Sequence, residues 1–360
     1  VIAVRCIVIA LQSETVMLEE RDLDAAVTAG VLDGATRDAL VKFARDHRLG
    51  EVGPDEEQFR LLTGFNDIFV TIAVGLLLTA VAMLAGAMSP VAGAAGVAAV
   101  SWGLAEYFTR IKRMALPSIA LLLSFVSGVF ATCVLVANQG TNFGVVPDNV
   151  LVPGVVVGAI VTVGGAWLHW RRFMVPITVA AGAGALTTLA VAIAAGITTQ
   201  LNSPAVLLTT ALCGIAVFAL AMWFDTRDRA RVTRRTDVAF WLHLLAAPLI
   251  VHPVFKLMGL TEGGVPADGA ALTVILVYLA LTVLALAIDR RALLVSALAY
   301  VIYAIQALVG SGGTAGQGVG LTMLVLGLFL VLLSAAWRPI RGSIVGLLPH
   351  SLSMRLPATA

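Results

Sequence analysis

Charge is scarce in this chain. Asp, Glu, Lys and Arg make up 12% of its 360 residues, against about 25% in an average soluble domain. That is too little to clothe a water-soluble globule or to keep a disordered chain solvated. Cysteine is nearly absent. Cys6, Cys133 and Cys213 have no close spacing, which argues against a disulfide framework and a zinc motif. The five histidines include no pair at metal-site spacing within a helix, and HExxH, Walker, CxxC and GxSxG patterns are missing. The expectation is therefore a protein that is not an enzyme, with no catalytic residue, cofactor, metal or nucleic-acid partner.

What fills the chain is apolar. Hydrophobic residues account for 59%, with 34 glycines besides. Ten hydrophobic stretches can be drawn, at about 68–88, 91–108, 115–137, 151–169, 174–197, 204–224, 238–258, 270–288, 292–309 and 318–336. Most approach the roughly 20 residues that a bilayer demands. The expected fold class is all-α: a polytopic membrane helix bundle of about ten transmembrane helices with a small N-terminal cytoplasmic helical hairpin.

The net charge of +2 hides an asymmetry. Residues 1–67 carry 7 Lys and Arg against 13 Asp and Glu, and residues 68–360 carry 16 against 8. Four segments follow: 1–16, 17–66, 67–338 and 339–360. In the first, Val1–Leu11 is apolar but for Arg5 and Cys6. It is too short to span and has no signal-peptide cleavage pattern. It reads as untranslated sequence upstream of Met17, as a leader begun at Val1, or as a short anchor. In the acidic head, Leu18–Ala29 and Ala35–His47 read as helices, with Gly30 closing the first and Asp33 capping the second. So small a hairpin needs support from the body, another copy or a partner. Asp55–Thr63 reads as a short surface helix or as the run into the first span.

Arg110, Lys112 and Arg113 follow the second stretch, and Arg171 and Arg172 the fourth. Arg227, Arg229, Arg231, Arg234 and Arg235 follow the sixth, Arg290 and Arg291 the eighth, and Arg338, Arg341 and Arg355 the tenth. The alternate loops hold no Lys or Arg. The positive-inside rule then places both termini in the cytoplasm. Trp102, Trp167, Trp170, Trp223, Trp241 and Trp337 fall toward that same side and read as a headgroup belt. The basic clusters recur at a spacing of about 60, which helices of even length produce and a duplicated hairpin would too. Gly154 and Gly158, Ala92 and Gly96, and Gly316 and Gly320 sit four apart, as close helix packing requires.

The most polar span is the seventh, with His243, Pro248, His252, Pro253 and Lys256. His252 and Lys256 share a helix face, and each proline frees a backbone carbonyl. Ionisable groups on an interrupted span are how transporters build ion sites. Tyr300, Tyr303 and Gln306 line one face of the ninth span. These six residues, His243, His252, Lys256, Tyr300, Tyr303 and Gln306, form the candidate intramembrane polar site, with packing and headgroup anchoring as the alternative. Elsewhere, Glu106 is expected to pair locally with Arg110, Asp67 to cap the first span, and Asp225 and Asp289 to be solvated. The Arg227–Arg235 loop could grip anionic lipid, but Asp225, Asp228 and Asp237 dilute its charge.

Two stretches carry a family resemblance. Ala25-Ala26-Val27-Thr28-Ala29-Gly30-Val31-Leu32-Asp33 resembles the N-terminal cytoplasmic hairpin of uncharacterised multi-pass bacterial inner-membrane proteins. Gly64-Phe65-Asn66-Asp67-Ile68-Phe69-Val70 is similar to the entry into their first span. The resemblance implies a bacterial inner membrane and no activity. The functional expectation is a transporter-like protein for a small solute or ion. The competing expectation is a scaffold or sensor whose head binds a cytoplasmic protein. The expected partners are the lipid bilayer, that protein and a second copy of the chain.

Overall fold

The computed structural model describes residues 20–51, 65–138, 148–198, 200, 203–228, 233–257, 270–291 and 315–349, together with Leu294, Leu298 and Ile302. Asp55–Thr63, Tyr300, Tyr303 and Gln306 lie outside the described residues, as do residues 1–19. Among those described, the structure is all-helical, without a strand. It divides into two compact units, Val1–Glu56 and Glu57–Thr359.

The first unit is the acidic hairpin. Helix α1 spans Glu20–Thr28 and α2 spans Gly34–Glu51. Gly30 takes φ 72°, a conformation that costs glycine nothing. Val31 N donates to Ala26 O and Gly30 N to Val27 O, each at 3.0 Å, the paired bonds of a Schellman cap. Asp33 Oδ1 accepts from Thr36 N at the start of α2, and that bond holds the carboxyl below its ordinary range. Both caps are the ones expected. The helices are tied by Arg37 to Asp24 at 2.8 Å. None of residues 23–43 is buried, and the anticipated apolar positions Leu40 and Phe43 are exposed.

The second unit contains α3 (Phe65–Gly86), α4 (Pro90–Ala105), α5 (Ala115–Ala137), α6 (Asp148–Phe173), α7 (Ile177–Thr198), α8 (Pro204–Arg227), α9 (Arg234–Leu257), α10 (Ala270–Ile288), α11 (Ala315–Ala335) and α12 (Trp337–Leu347). A π turn, Glu106–Ile111, extends α4. Seven of these helices are long and apolar enough to cross a membrane, or eight if Met323–Ala335 and Trp337–Leu347, bent by 72°, count as one span. The expected count of ten is not reached among the described residues. The ninth stretch, 292–309, is represented only by Leu294, Leu298 and Ile302.

The two kinds of turn are built differently. Ser89 and Ser203 cap α4 and α8, their hydroxyls accepting from Ala92 N at 3.0 Å and Val206 N at 3.3 Å. A proline follows each as first helical residue, where its missing N–H costs nothing. The basic turns instead use non-glycine residues at positive φ: Arg113 at 53°, Met174 at 56° and Asp289 at 57°.

Successive helices joined by such short turns run antiparallel. They approach closely where glycine allows it. A Cβ on Gly128 of α5 would meet Ala94 O and Ala98 N of α4 at 2.9 Å, and one on Gly158 of α6 would meet Phe130 at 3.1 Å. Buried hydroxyls such as Thr187 and Thr282 are satisfied by the carbonyl one turn back, the local solution that an apolar surround demands. Helix α9 is the most enclosed, with half of its apolar window buried, against 11% for α3. Both Pro248 and Pro253 lie inside α9, which continues through them as one helix. A core of Val251, Phe255, Tyr278, Leu286, Leu326 and Trp337 joins α9 to α10, α11 and α12.

Candidate functional site

The chemistry of the body gathers on one carboxylate. Asp225 lies in the last turn of α8, one turn beyond fully buried Ala221. That face packs on α9 around Val217, Val238, Leu242 and Ala246, so the helix ends with its carboxylate still under cover. His243, on the same face of α9, places Nε2 at 2.9 Å from Asp225 Oδ2. Arg290 completes the group from beyond α10. Its Nε donates to Asp225 Oδ2 at 3.2 Å, and its Nη2 donates to Oδ1. Exposure is 4% for Asp225, 0% for His243 and 1% for Arg290. The ring of Phe218 meets the imidazole edge-on at 5.2 Å.

The end of α10 explains how an arginine comes to point inward. Arg290 N donates to Ala285 O at 2.9 Å and Asp289 N to Leu286 O at 3.3 Å. This is again a Schellman cap, with Asp289 in the left-handed position that Asp tolerates better than most side chains. The residue after such a cap folds back along its own helix, usually with an apolar side chain. Here that residue is Arg290.

Asp289 anchors a second cluster. Its Oδ1 accepts from Trp337 Nε1 at 2.8 Å, and Arg341 Nε lies 3.8 Å away. Asp289 and Arg341 are both buried. Arg291 lies over the Trp337 ring at 4.8 Å. Two buried carboxylates thus face two buried guanidiniums, and the consecutive pair Asp289–Arg290 belongs to both clusters. Buried charge is tolerated when it is paired and hydrogen-bonded, as it is between Asp225 and Arg290.

The expectation that Asp225 and Asp289 are solvated is overturned. Each is 4% exposed because its helix stays packed to the final residue. Arg341 and Trp337, read as tail and headgroup belt, are buried because α12 turns by 72° and packs on the end of α10. Of the described members of the expected polar site, His243 belongs to this centre and His252 and Lys256 do not. His252 is exposed and Lys256 half-buried. They lie 9 and 13 residues further along α9, about 14 and 20 Å at the rise of a helix. A cavity of about 80 Å³ beside α9 is lined by Phe218, Ala247, Ile250, Val251, Leu281 and Leu284. It is apolar and touches neither His252 nor Lys256.

Glu106 bonds chiefly to Arg172, at 2.8 and 2.9 Å, and only at 3.5 Å to the expected Arg110. Asp67 stands third in α3 and is 3% exposed. His169 is buried among Trp102, Phe125 and Phe173, an enclosure that no local sequence pattern signals. Among the described residues no group of three or more His, Cys, Asp and Glu could hold a metal ion.

No protein-family model matches the chain, and no similar curated protein or solved structure was found.

The carboxylate centre can do two things. It can clamp α8, α9 and α10 together. It can also hold a proton: Nε2 of a neutral His243 carries the hydrogen donated to Asp225, and a second proton on the ring would be balanced by the same carboxylate.

Proposed function

We propose that the chain is a ten-span inner-membrane protein of a bacterium that moves a small solute or ion, and that Asp225, His243 and Arg290 form its polar centre. The observation that carries this reading is the fully enclosed His243–Asp225–Arg290 contact inside apolar helices, where ionisable groups are costly and tend to serve a function. It moves the candidate site from the His252–Lys256 end of α9 to its basic end. The positive-inside rule makes that end cytoplasmic, with both termini on the same side.

Ten crossings are supported by the Asp289–Trp337 bond. It puts the ends of α10 and α11 together, so both helices run toward the basic side. On this reading the chain between Arg291 and Ala315 crosses back, and the apolar stretch 292–309 is long enough in sequence to do so.

The test is proton movement in liposomes containing the purified protein and a pH-sensitive dye, with a membrane potential imposed and a panel of solutes added. We expect a pH change dependent on the protein. His243→Gln, which keeps a donor for Asp225 and cannot take up a proton, should abolish it while the protein stays monodisperse. A signal equal to that of empty liposomes across the panel, or one unchanged in His243→Gln, would refute the reading.

One observation favours the scaffold or sensor reading instead. The acidic head exposes Val31 and Leu40, as a surface that binds a cytoplasmic protein would.

A further inference from the structure

Three helices end on the basic side with the same construction. Arg171 lies over the Trp167 ring of α6 at 5.2 Å. Arg227 lies over Trp223 of α8 at 3.9 Å. Lys112 lies over Tyr107, in the π turn after α4, at 5.7 Å. The three rings are 59%, 46% and 47% exposed. In each pair the cation follows its ring by four or five residues, so the helix itself sets the stack.

The acidic residues nearby are already engaged. Glu106 takes Arg172 and Arg110. Asp225 is bound by His243 and Arg290. Asp228 accepts from Thr233 and Thr236 at the start of α9. Arg171, Arg227 and Lys112 make no ion pair among the described residues. A guanidinium held over a ring by a cation–π contact still has N–H donors to offer an anion. Above each arginine pair the helix is apolar and open: Ile160 and Leu168 on α6, Leu212 and Leu220 on α8 are all exposed.

We propose that these cation–aromatic pairs bind the phosphate of anionic phospholipid headgroups, with the acyl chains lying along the apolar flanks of α6 and α8. Charge complementarity selects the anion, and the apolar shaft selects a lipid over a free ion. The proposal is independent of any transport role.

The test uses the whole protein in phosphatidylcholine vesicles and reads quenching of tryptophan fluorescence by brominated lipid. Brominated phosphatidylglycerol should quench more strongly than brominated phosphatidylcholine at the same mole fraction. Removing the charges in Arg171→Gln and Arg227→Gln should lower the relative affinity for phosphatidylglycerol about fivefold per arginine. Arg110→Gln, whose guanidinium already faces Glu106, should leave it unchanged. In the wild type, 1 M salt, where the screening length is only about 3 Å, should shrink the preference, which keeps the test valid if the double variant misfolds. Equal quenching by the two lipids would overturn the proposal, as would a preference that survives both the double variant and high salt. Inorganic phosphate that erased the preference at matched ionic strength would assign a free-anion site instead.

Discussion

Asp225 is a buried carboxylate on which side chains from α9 and from the end of α10 converge. It accepts from three donors on two side chains, neither of them from its own helix. Breaking a buried ion pair from one side leaves the other charge uncompensated, at a cost of about 3–5 kcal/mol. Asp225→Asn does this to Arg290. Arg290→Gln is milder, because His243 can take a proton and balance the carboxylate. The double variant removes both charges and should recover much of what Asp225→Asn loses. Thermal unfolding of the four proteins in detergent checks the cycle, and losses that simply add would show that the two side chains are not coupled. Nothing local in the sequence marks this centre. An aspartate followed by arginines at a helix end looks the same whether the chain beyond it leaves the bundle or, as at Arg290, folds back under it.

At the scale of the element, the caps were legible and the faces were not. Gly30 and Asp33 act through bonds to neighbours a few residues away, so sequence alone locates them. The exposure of Leu40 and Phe43 depends on what packs there, which no local pattern states. The Asp33 cap makes a pH prediction. Its carboxyl sits below the ordinary range because Thr36 N donates to it, so folding favours the ionised form. The stabilisation is complete above the unfolded-state value, about 3.9 for Asp. It fades as pH falls through the lower folded value. Hydrogen exchange of residues 34–38 in the full protein, corrected for intrinsic rates, should therefore quicken between pH 5 and about pH 3. Asp33→Ala should exchange fast throughout, and Asp33→Ser should be protected yet insensitive to pH. A pH response that persists in Asp33→Ser would have to come from another group.

For the whole molecule, composition and loop charge are strong signals because they average over hundreds of residues. The third and eighth stretches, drawn at about 115–137 and 270–288, coincide with α5 and α10. The polar span proved the most enclosed, and its buried polar contact was not legible: His252 and Lys256 draw attention through proximity in sequence, whereas Asp225 and Arg290 meet across 65 positions. Topology is where the two lines of argument converge. Loop charge alone leaves the last three stretches open, since a missed crossing would put Arg338 on the side opposite Arg291. The Asp289–Trp337 bond supports the proposed topology, in which both lie on one side. Single cysteines at positions 89, 113, 311 and 338, in a chain with Cys6, Cys133 and Cys213 replaced by serine, decide the matter. We expect an impermeant thiol reagent to label positions 89 and 311 in intact cells, and 113 and 338 only in inverted vesicles. Labelling of 311 together with 113 would mean that 292–309 does not cross, and would break the ten-span topology at its ninth member.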